Sequence, residues 1–354
     1  MDQPKSLGRY QIQGVLGKGA MGLVYDGLDP GLNRRVAIKT ILTRKLDAEA
    51  ARLISVRFER EVRAVARLNH RNIIQVYDFG TEGELAYIVM EYVQGRELKD
   101  CFEAKERFDL ATIFRFMIEL LDALEFAHEA GVIHRDIKPA NVMVDAGGHA
   151  KLTDFGVARV VEPEGDQAEA TRAGTIVGTP SYMSPEQIQG QTIDRRTDIF
   201  SAGVLFYEFL TGQKPFEGTQ WGLAKKIIQD DPVWPSALVQ IPPAIDRVIA
   251  RALAKDPEHR YQSARKFADA LKRILAGKPP EDPDEVLPLP AAATPAPRGA
   301  PAQAQDNEAE MEFWNEVKDS GDPEDLNLYL EQFPQGAYVG LAREKLAALS
   351  GGKG

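Results

Sequence analysis

The spacing of apolar residues changes period once along the first 275 residues, and that change limits the folds open to the chain. Up to about residue 93, the runs YQIQGVLG, GLVYDGLD, RRVAIKTIL and AYIVMEYV are rich in β-branched and aromatic residues. Gly, Pro and Asn separate them, which is the pattern of strands and turns. One helical stretch interrupts them near 49–68, where Phe58, Val62 and Val65 recur at i, i+4 and i+7. From about residue 97 the spacing is helical, in segments around 110–129, 198–210, 219–229, 243–254 and 263–275. Strands gathered at one end and helices at the other predict an α+β chain with a small β-rich lobe and a larger α-rich one.

After Ala276 the composition shifts to GKPPEDPDEVLPLPAAATPAPRGAPAQAQDNEA, rich in Pro and Ala and poor in aromatic residues. Such a stretch cannot bury enough apolar surface to order itself, so 276–307 reads as a semi-extended linker. Helical spacing returns over 308–349 in three short segments, Met311/Trp314/Val317, Leu326/Leu330/Phe333 and Tyr338/Leu341/Ala342/Leu346.

Composition narrows the function. The 43 basic and 53 acidic residues leave a net charge of −10, which argues against general affinity for nucleic acid or an anionic membrane. Cys101 is the only cysteine, so no internal disulfide and no thiolate zinc cluster can form. The five histidines lack metal-ligand spacing. No stretch reaches the roughly 18 uncharged apolar residues that span a bilayer, and MDQPKSLGRY lacks the apolar run of a signal peptide. These features predict a cytoplasmic protein without a membrane span.

Several short motifs carry chemistry. Gly17-Lys-Gly19-Ala-Met-Gly22-Leu-Val24 could open a dinucleotide-binding turn, but that requires a helix after the glycines. LVYDGLD, a strand and turn, follows instead. A Gly-rich hairpin can lie over a polyphosphate because missing Cβ atoms let backbone N–H groups approach the oxygens; an ordinary hairpin has the same spelling. Lys39 ends the run Val36-Ala37-Ile38-Lys39 and is either solvated or paired. Glu61 falls on the inward stripe with Phe58 and Val65, where a charge needs a partner. Arg57, one turn earlier, is one choice; Lys39 is the other, and it accounts for both residues together. In VIHRDIKPANVMV (132–144) a knot of polar side chains sits between two apolar runs. Asn141 there, with Asp154 of KLTDFG, offers two oxygen ligands of the kind hard divalent cations prefer. Asp136 is left to orient a substrate hydroxyl and accept its proton, and Lys138 to neutralise charge on a migrating phosphoryl group.

In this order, GKGAMGLV, VAIK, Glu61, HRDIKPAN, DFG and SPE resemble the eukaryotic-type Ser/Thr protein kinases found in bacteria, over roughly residues 8–275. The resemblance implies a bilobal protein-kinase fold, with an N-lobe over about 8–93 and a C-lobe over about 94–275, plus a small helical C-terminal unit. It further implies that Gly17, Gly19 and Gly22 cover the phosphates of ATP, and that Lys39, held by Glu61, binds the α- and β-phosphates. Asp154 and Asn141 would hold Mg²⁺, with Mn²⁺ as an alternative, and Asp136 would be the catalytic base. Leu16, Val24, Ala37 and Met143 would sandwich adenine. Met90 would stand at the back of the pocket, and the Glu91 and Val93 backbones would bond the purine edge.

Ser184-Pro185-Glu186 replaces the commoner Ala-Pro-Glu, and Glu186 would pair with Arg260. Asp198, before the apolar run 199–210, reads as a helix N-cap; in the family this position also bonds the catalytic-loop backbone. Thr179 of GTPSYMSPE matches the threonine of Ser/Thr-specific members. Arg135 precedes the catalytic Asp as in kinases whose activation loop docks a phosphothreonine, for which Thr171 and Thr175 are candidates. A pseudokinase scaffold usually lacks one of these residues, and none is missing. A small-molecule kinase could share the loop, but TPSYMSPE argues for protein substrates with Ser/Thr acceptors. Residues 313–346 resemble, more loosely, a short tetratricopeptide-like repeat. Four aromatics there, Trp314, Tyr329, Phe333 and Tyr338, are candidates for an apolar face shared with the kinase domain, a second copy of the tail or another protein, and the unit is expected to be a module that docks a partner protein or substrate.

Overall fold

Strand β4 (Arg34–Leu42) is the centre of the N-terminal half. It pairs with β3 (Gly22–Asp29) and β6 (Leu85–Glu91) in an antiparallel sheet that also holds β1 (Ser6–Leu7), β2 (Tyr10–Gly19) and β5 (Val76–Glu82), in the order β1-β2-β3-β4-β6-β5. This arrangement comes from a computed structural model that describes residues 4–19, 22–42, 58–83, 85–155, 180–218, 220–280, 314, 317, 323–333 and 338–350. The side-chain period of two sends Val36 and Ile38 to one face of the sheet, where they pack with Leu7, Tyr10, Tyr25, Tyr87 and Val89. Ala37 and Ile41 go to the other face and meet Phe58, Val62 and Val65 of α1 (58–66). Lys39 shares that second face.

The β2–β3 hairpin brings Gly17 opposite Val24 and Gly19 opposite Gly22. The two outer glycines have different reasons to be glycine. A Cβ on Gly22 would lie 1.9 Å from the Thr40 carbonyl oxygen, whereas one on Gly17 would meet nothing within 4 Å. Gly22→Ala is therefore expected to destabilise the fold by on the order of 2 kcal/mol through overpacking. Gly17→Ala should leave the urea midpoint unchanged and alter only what binds beneath the hairpin. Equal midpoints for the two variants would contradict this.

The second half begins with β7 (Gly95–Glu97), which joins β8 (Val142–Asp145) and β9 (Ala150–Leu152) in a small antiparallel sheet. Around it lie α2 (Leu98–Glu103) and α3 (Leu110–Glu129), then α4 (Pro185–Ile188), α5 (Arg195–Thr211), α6 (Gln220–Gln229), α7 (Pro235–Leu238), α8 (Ala244–Ala252) and α9 (Ala264–Leu275). Helix α5 is buried nearly all round, from Thr197 to Thr211. It starts earlier than its apolar spacing suggests. Asp194, whose carboxylate accepts from the Arg196 N–H at 2.7 Å, is the N-cap, so Asp198 is freed from that role. Order also extends past Ala276, because Arg273 donates to the Pro279 carbonyl at 2.8 Å and Pro280 is buried.

The chain divides into two units, Met1–Ala293 and Thr294–Gly354. The second holds α10 (Pro323–Gln332) and α11 (Val339–Ser350) around a small core of Trp314, Val317, Leu326, Tyr329 and Ala342. Two of its aromatics, Trp314 and Tyr329, are buried, and Phe333 and Tyr338 pack against them half-buried. Trp314 stacks on Tyr338 at 5.3 Å and lies 5.2 Å from Tyr329, which is itself 5.5 Å from Phe333. The rings supply much of the core that a unit this small can build. Leu341, expected inside, is 51% exposed. Among the described residues no helix is long and apolar enough to cross a membrane.

Candidate active site

Asp198 of α5 organises the loop between α3 and β8. Its carboxylate is fully buried, and it accepts from the His134 N–H at 2.8 Å and the Arg135 N–H at 2.7 Å. His128 Nε2, on α3, lies 2.8 Å away. A buried carboxylate is costly unless it is bonded, and three donors meet this one. They hold the loop in a turn whose Arg135 has the left-handed φ of 66°, a conformation that persists only where the surroundings fix it.

His134 ties this loop to the segment after β9. Its ring is wholly buried and packs 4.6 Å from the Phe155 ring. Nε2 lies 2.8 Å from the Thr153 carbonyl, and the Asp136 N–H points at Nδ1 from 3.3 Å. Only the neutral Nε2–H tautomer satisfies both contacts. Burial holds its pKa below the ordinary 6.5. Its contribution to stability is therefore complete above pH 6.5 and is lost as pH falls below it, since the unfolded chain takes up a proton that the folded one refuses. In urea titrations this residue should add a slope of at most about 1.4 kcal/mol per pH unit below pH 6.5. The slope should flatten in His134→Phe; an unchanged slope would contradict the assignment.

Asp136 stands at the loop's working end. Asn141 Nδ2 donates to its backbone oxygen at 2.7 Å and to its carboxylate at 2.9 Å, and Lys138 Nζ lies 2.8 Å from the same carboxylate oxygen. With its amide N–H groups committed, Asn141 keeps its side-chain oxygen as an acceptor. The Thr153 N–H donates to the Asn141 backbone oxygen at 3.0 Å, which sets Asn141 beside the strand leading to Asp154. Asp154 has a left-handed φ of 60°. Among the described residues no group of three His, Cys, Asp or Glu side chains is arranged to hold a metal unaided. One carboxylate and one amide oxygen nevertheless suit Mg²⁺, which commonly completes its shell with waters and substrate phosphates.

Lys39 Nζ lies 2.7 Å from Asp154 Oδ2. This corrects one expectation. Glu61 is half-buried on α1, as its spacing implied, but no ion pair among the described residues joins it to Lys39. One ammonium shared by two carboxylates settles on the nearer, and the turned backbone of Asp154 brings its carboxylate to contact. On the adenine side, Ala37 faces Met90 across the β4–β6 ladder, and both are buried. Val24, Val93 and Met143 are half-buried, while Leu16 is largely exposed. Behind them is a small apolar cavity lined in part by Lys39, Val65, Met90, Asp154 and Phe155.

A family model for the protein kinase domain matches residues 10–272. The chain belongs to the protein kinase family. It is 39% identical over 286 residues to a probable serine/threonine-protein kinase of Streptomyces coelicolor, covering 79% of this chain and 42% of that protein. It is 40% identical over 283 residues to the serine/threonine-protein kinase PknB of Mycobacterium leprae, covering 78% and 44%. A probable serine/threonine-protein kinase of Clostridium acetobutylicum is 39% identical over 268 residues, covering 75% and 40%. The chain spans less than half the length of these curated relatives.

In the larger lobe, Glu186 meets Arg260 as expected, through two bonds of 2.7 and 2.8 Å, with both side chains buried. Burial alone would raise the Glu186 pKa. The bonds and charge of Arg260, with the Thr197 hydroxyl, outweigh that and hold it below the ordinary carboxylate value. Two features escape sequence reading. His134 spells a motif letter but gives no hint of its bond to Thr153. Glu97 occupies the N-cap of α2 without capping it, and burial raises its pKa. Thr171, Thr175 and Thr179 lie outside the described residues.

Proposed function

We propose that this kinase transfers the γ-phosphoryl group of ATP to Ser and Thr hydroxyls of proteins, in regulatory signalling. The observation that carries the reading is the state of Asp136: a carboxylate held by Asn141 and Lys138 on a loop anchored by Asp198. In this role Asp136 orients the acceptor hydroxyl and takes its proton, while Lys138 offsets charge on the group in transit. Lys39 serves the α- and β-phosphates once nucleotide competes for it. Leu16, Val24, Ala37, Met90, Met143 and the Glu91 and Val93 backbones form the adenine slot, beneath the hairpin of Gly17, Gly19 and Gly22. Mg²⁺, held by Asp154 and Asn141, would neutralise phosphate charge. The named activities of the relatives support this reading.

Phosphorylation of Thr171 or Thr175, docked near Arg135, is proposed as the activating step, and Thr179 as the contact that favours Ser/Thr acceptors. A cytoplasmic location accompanies the reading, since ATP and a reduced Cys101 both belong there. Residues 308–349 are proposed to form a repeat-like docking module that selects a partner and takes no part in transfer. Incubation with ATP, Mg²⁺ and a generic Ser/Thr substrate tests these statements together. The full chain and a chain ending at residue 280 should transfer phosphate at rates within about twofold, because the truncation removes no residue of the site. No transfer by either refutes the enzyme. Loss of transfer on truncation alone refutes the separate module.

A further inference from the structure

We infer that Lys151 is a positioning residue for nucleotide binding, acting through an ion pair with Glu91 that fixes the hinge end of the sheet against the strand leading to Asp154. The inference rests on the nucleotide reading above, in which the Glu91 backbone meets the adenine edge and Asp154 the phosphate end.

The geometry is a closed ring of bonds. Glu91, the last residue of β6, takes Lys151 Nζ on one carboxylate oxygen at 2.7 Å and the Gln75 N–H on the other at 3.3 Å. Its own N–H donates to the Gln75 carbonyl at 2.9 Å. The segment 72–75 is bonded in turn to β9: the Ile74 N–H donates to the Leu152 carbonyl, the Leu152 N–H to the Asn72 carbonyl, and Asn72 Nδ2 to the Ala150 carbonyl, all at 2.7–2.9 Å. Backbone bonds thus join β9 to segment 72–75, and segment 72–75 to β6. Among the described residues, the direct link from β6 to β9 is the Lys151–Glu91 pair. Its side chains are only 17% and 27% exposed, so water weakens the contact less than at an open surface.

The two ends so tied belong to the two ends of one ligand. Lys151 is three residues before Asp154, and Glu91 opens the segment that leads from β6 into the second lobe. Without the clamp the spacing of these ends relaxes, and nucleotide affinity falls because part of the binding energy goes to restoring it. An acceptor protein binds elsewhere and should not register the change.

Titration of the full chain with a fluorescent ATP analogue, together with steady-state kinetics, tests this. In Lys151→Met, the dissociation constant and the KM for ATP should each rise roughly tenfold, while the KM for a protein substrate stays within about twofold. Lys151→Arg should recover most of the affinity, and Glu91→Gln should fall between. Should Lys151→Met fail to fold, as its unfolding midpoint would reveal, the Arg and Gln variants carry the test. Unchanged affinity across the series, or equal rises in both KM values, overturns the inference. A faster enzyme also overturns it, because the pair would then restrain closure. If the wild-type chain transfers no phosphate, the functional reading fails while the nucleotide titration still decides the clamp.

Discussion

Asp136→Asn lowers phosphoryl transfer by about 10²- to 10⁴-fold while the protein stays folded, which is the expected loss when a positioned base is neutralised. The substitution keeps the shape of the side chain and can still accept from Asn141 and Lys138, whose present contacts are 2.9 and 2.8 Å. What disappears is the charge that draws the acceptor proton. Lys39→Met should produce a loss of similar size through a different term, poor placement of the phosphates. It also strips Asp154 of its 2.7 Å partner. Autophosphorylation by purified Asp136→Asn protein at the wild-type rate would sink the assignment; an unchanged circular dichroism spectrum and unfolding midpoint are needed for the comparison.

The largest effect on stability is expected at Arg260. Its five N–H groups are all directed: Nε to the Ala254 carbonyl, Nη1 to Glu186 and the Arg196 carbonyl, Nη2 to Glu186 and the Lys255 carbonyl. Arg260→Met would leave a buried carboxylate and three carbonyls without these donors, a loss of about 3–5 kcal/mol. The double variant Arg260→Met with Glu186→Leu should lose less than the sum of the singles, since removing both charges leaves neither stranded. Acid weakens the same pair. The Glu186 pKa is lowered by folding, so its contribution is whole above the ordinary value of 4.5 and is lost as pH falls below it. A loss under about 1 kcal/mol in chemical unfolding would show that the pair is replaceable.

Much of the secondary structure was legible because it follows from period. The spacing near 110–129 became α3 at Leu110–Glu129, and that near 263–275 became α9 at Ala264–Leu275. The start of α5 was not legible, since Arg195, Arg196, Thr197 and Asp198 carry no apolar signal and only the cap bond of Asp194 reveals the first turn. Short strands such as β9, three residues long, are below what alternation can resolve.

The sequence by itself determined which groups the candidate site would contain. Asp136, Lys138, Asn141 and Asp154 come from two nearby stretches, and their residue types already limited the chemistry. Tertiary structure decided the partnerships, because these depend on distances between segments far apart in the chain. Lys39 lies 2.7 Å from Asp154 and makes no ion pair with Glu61; Asp198 reaches back to Arg135 at 2.7 Å rather than capping its helix; and Lys151 finds Glu91, sixty residues earlier. Periodicity reports which face a side chain occupies on its own element. Which of two carboxylates an ammonium meets is set by how elements pack, and a difference of an ångström or two is enough to change the partner.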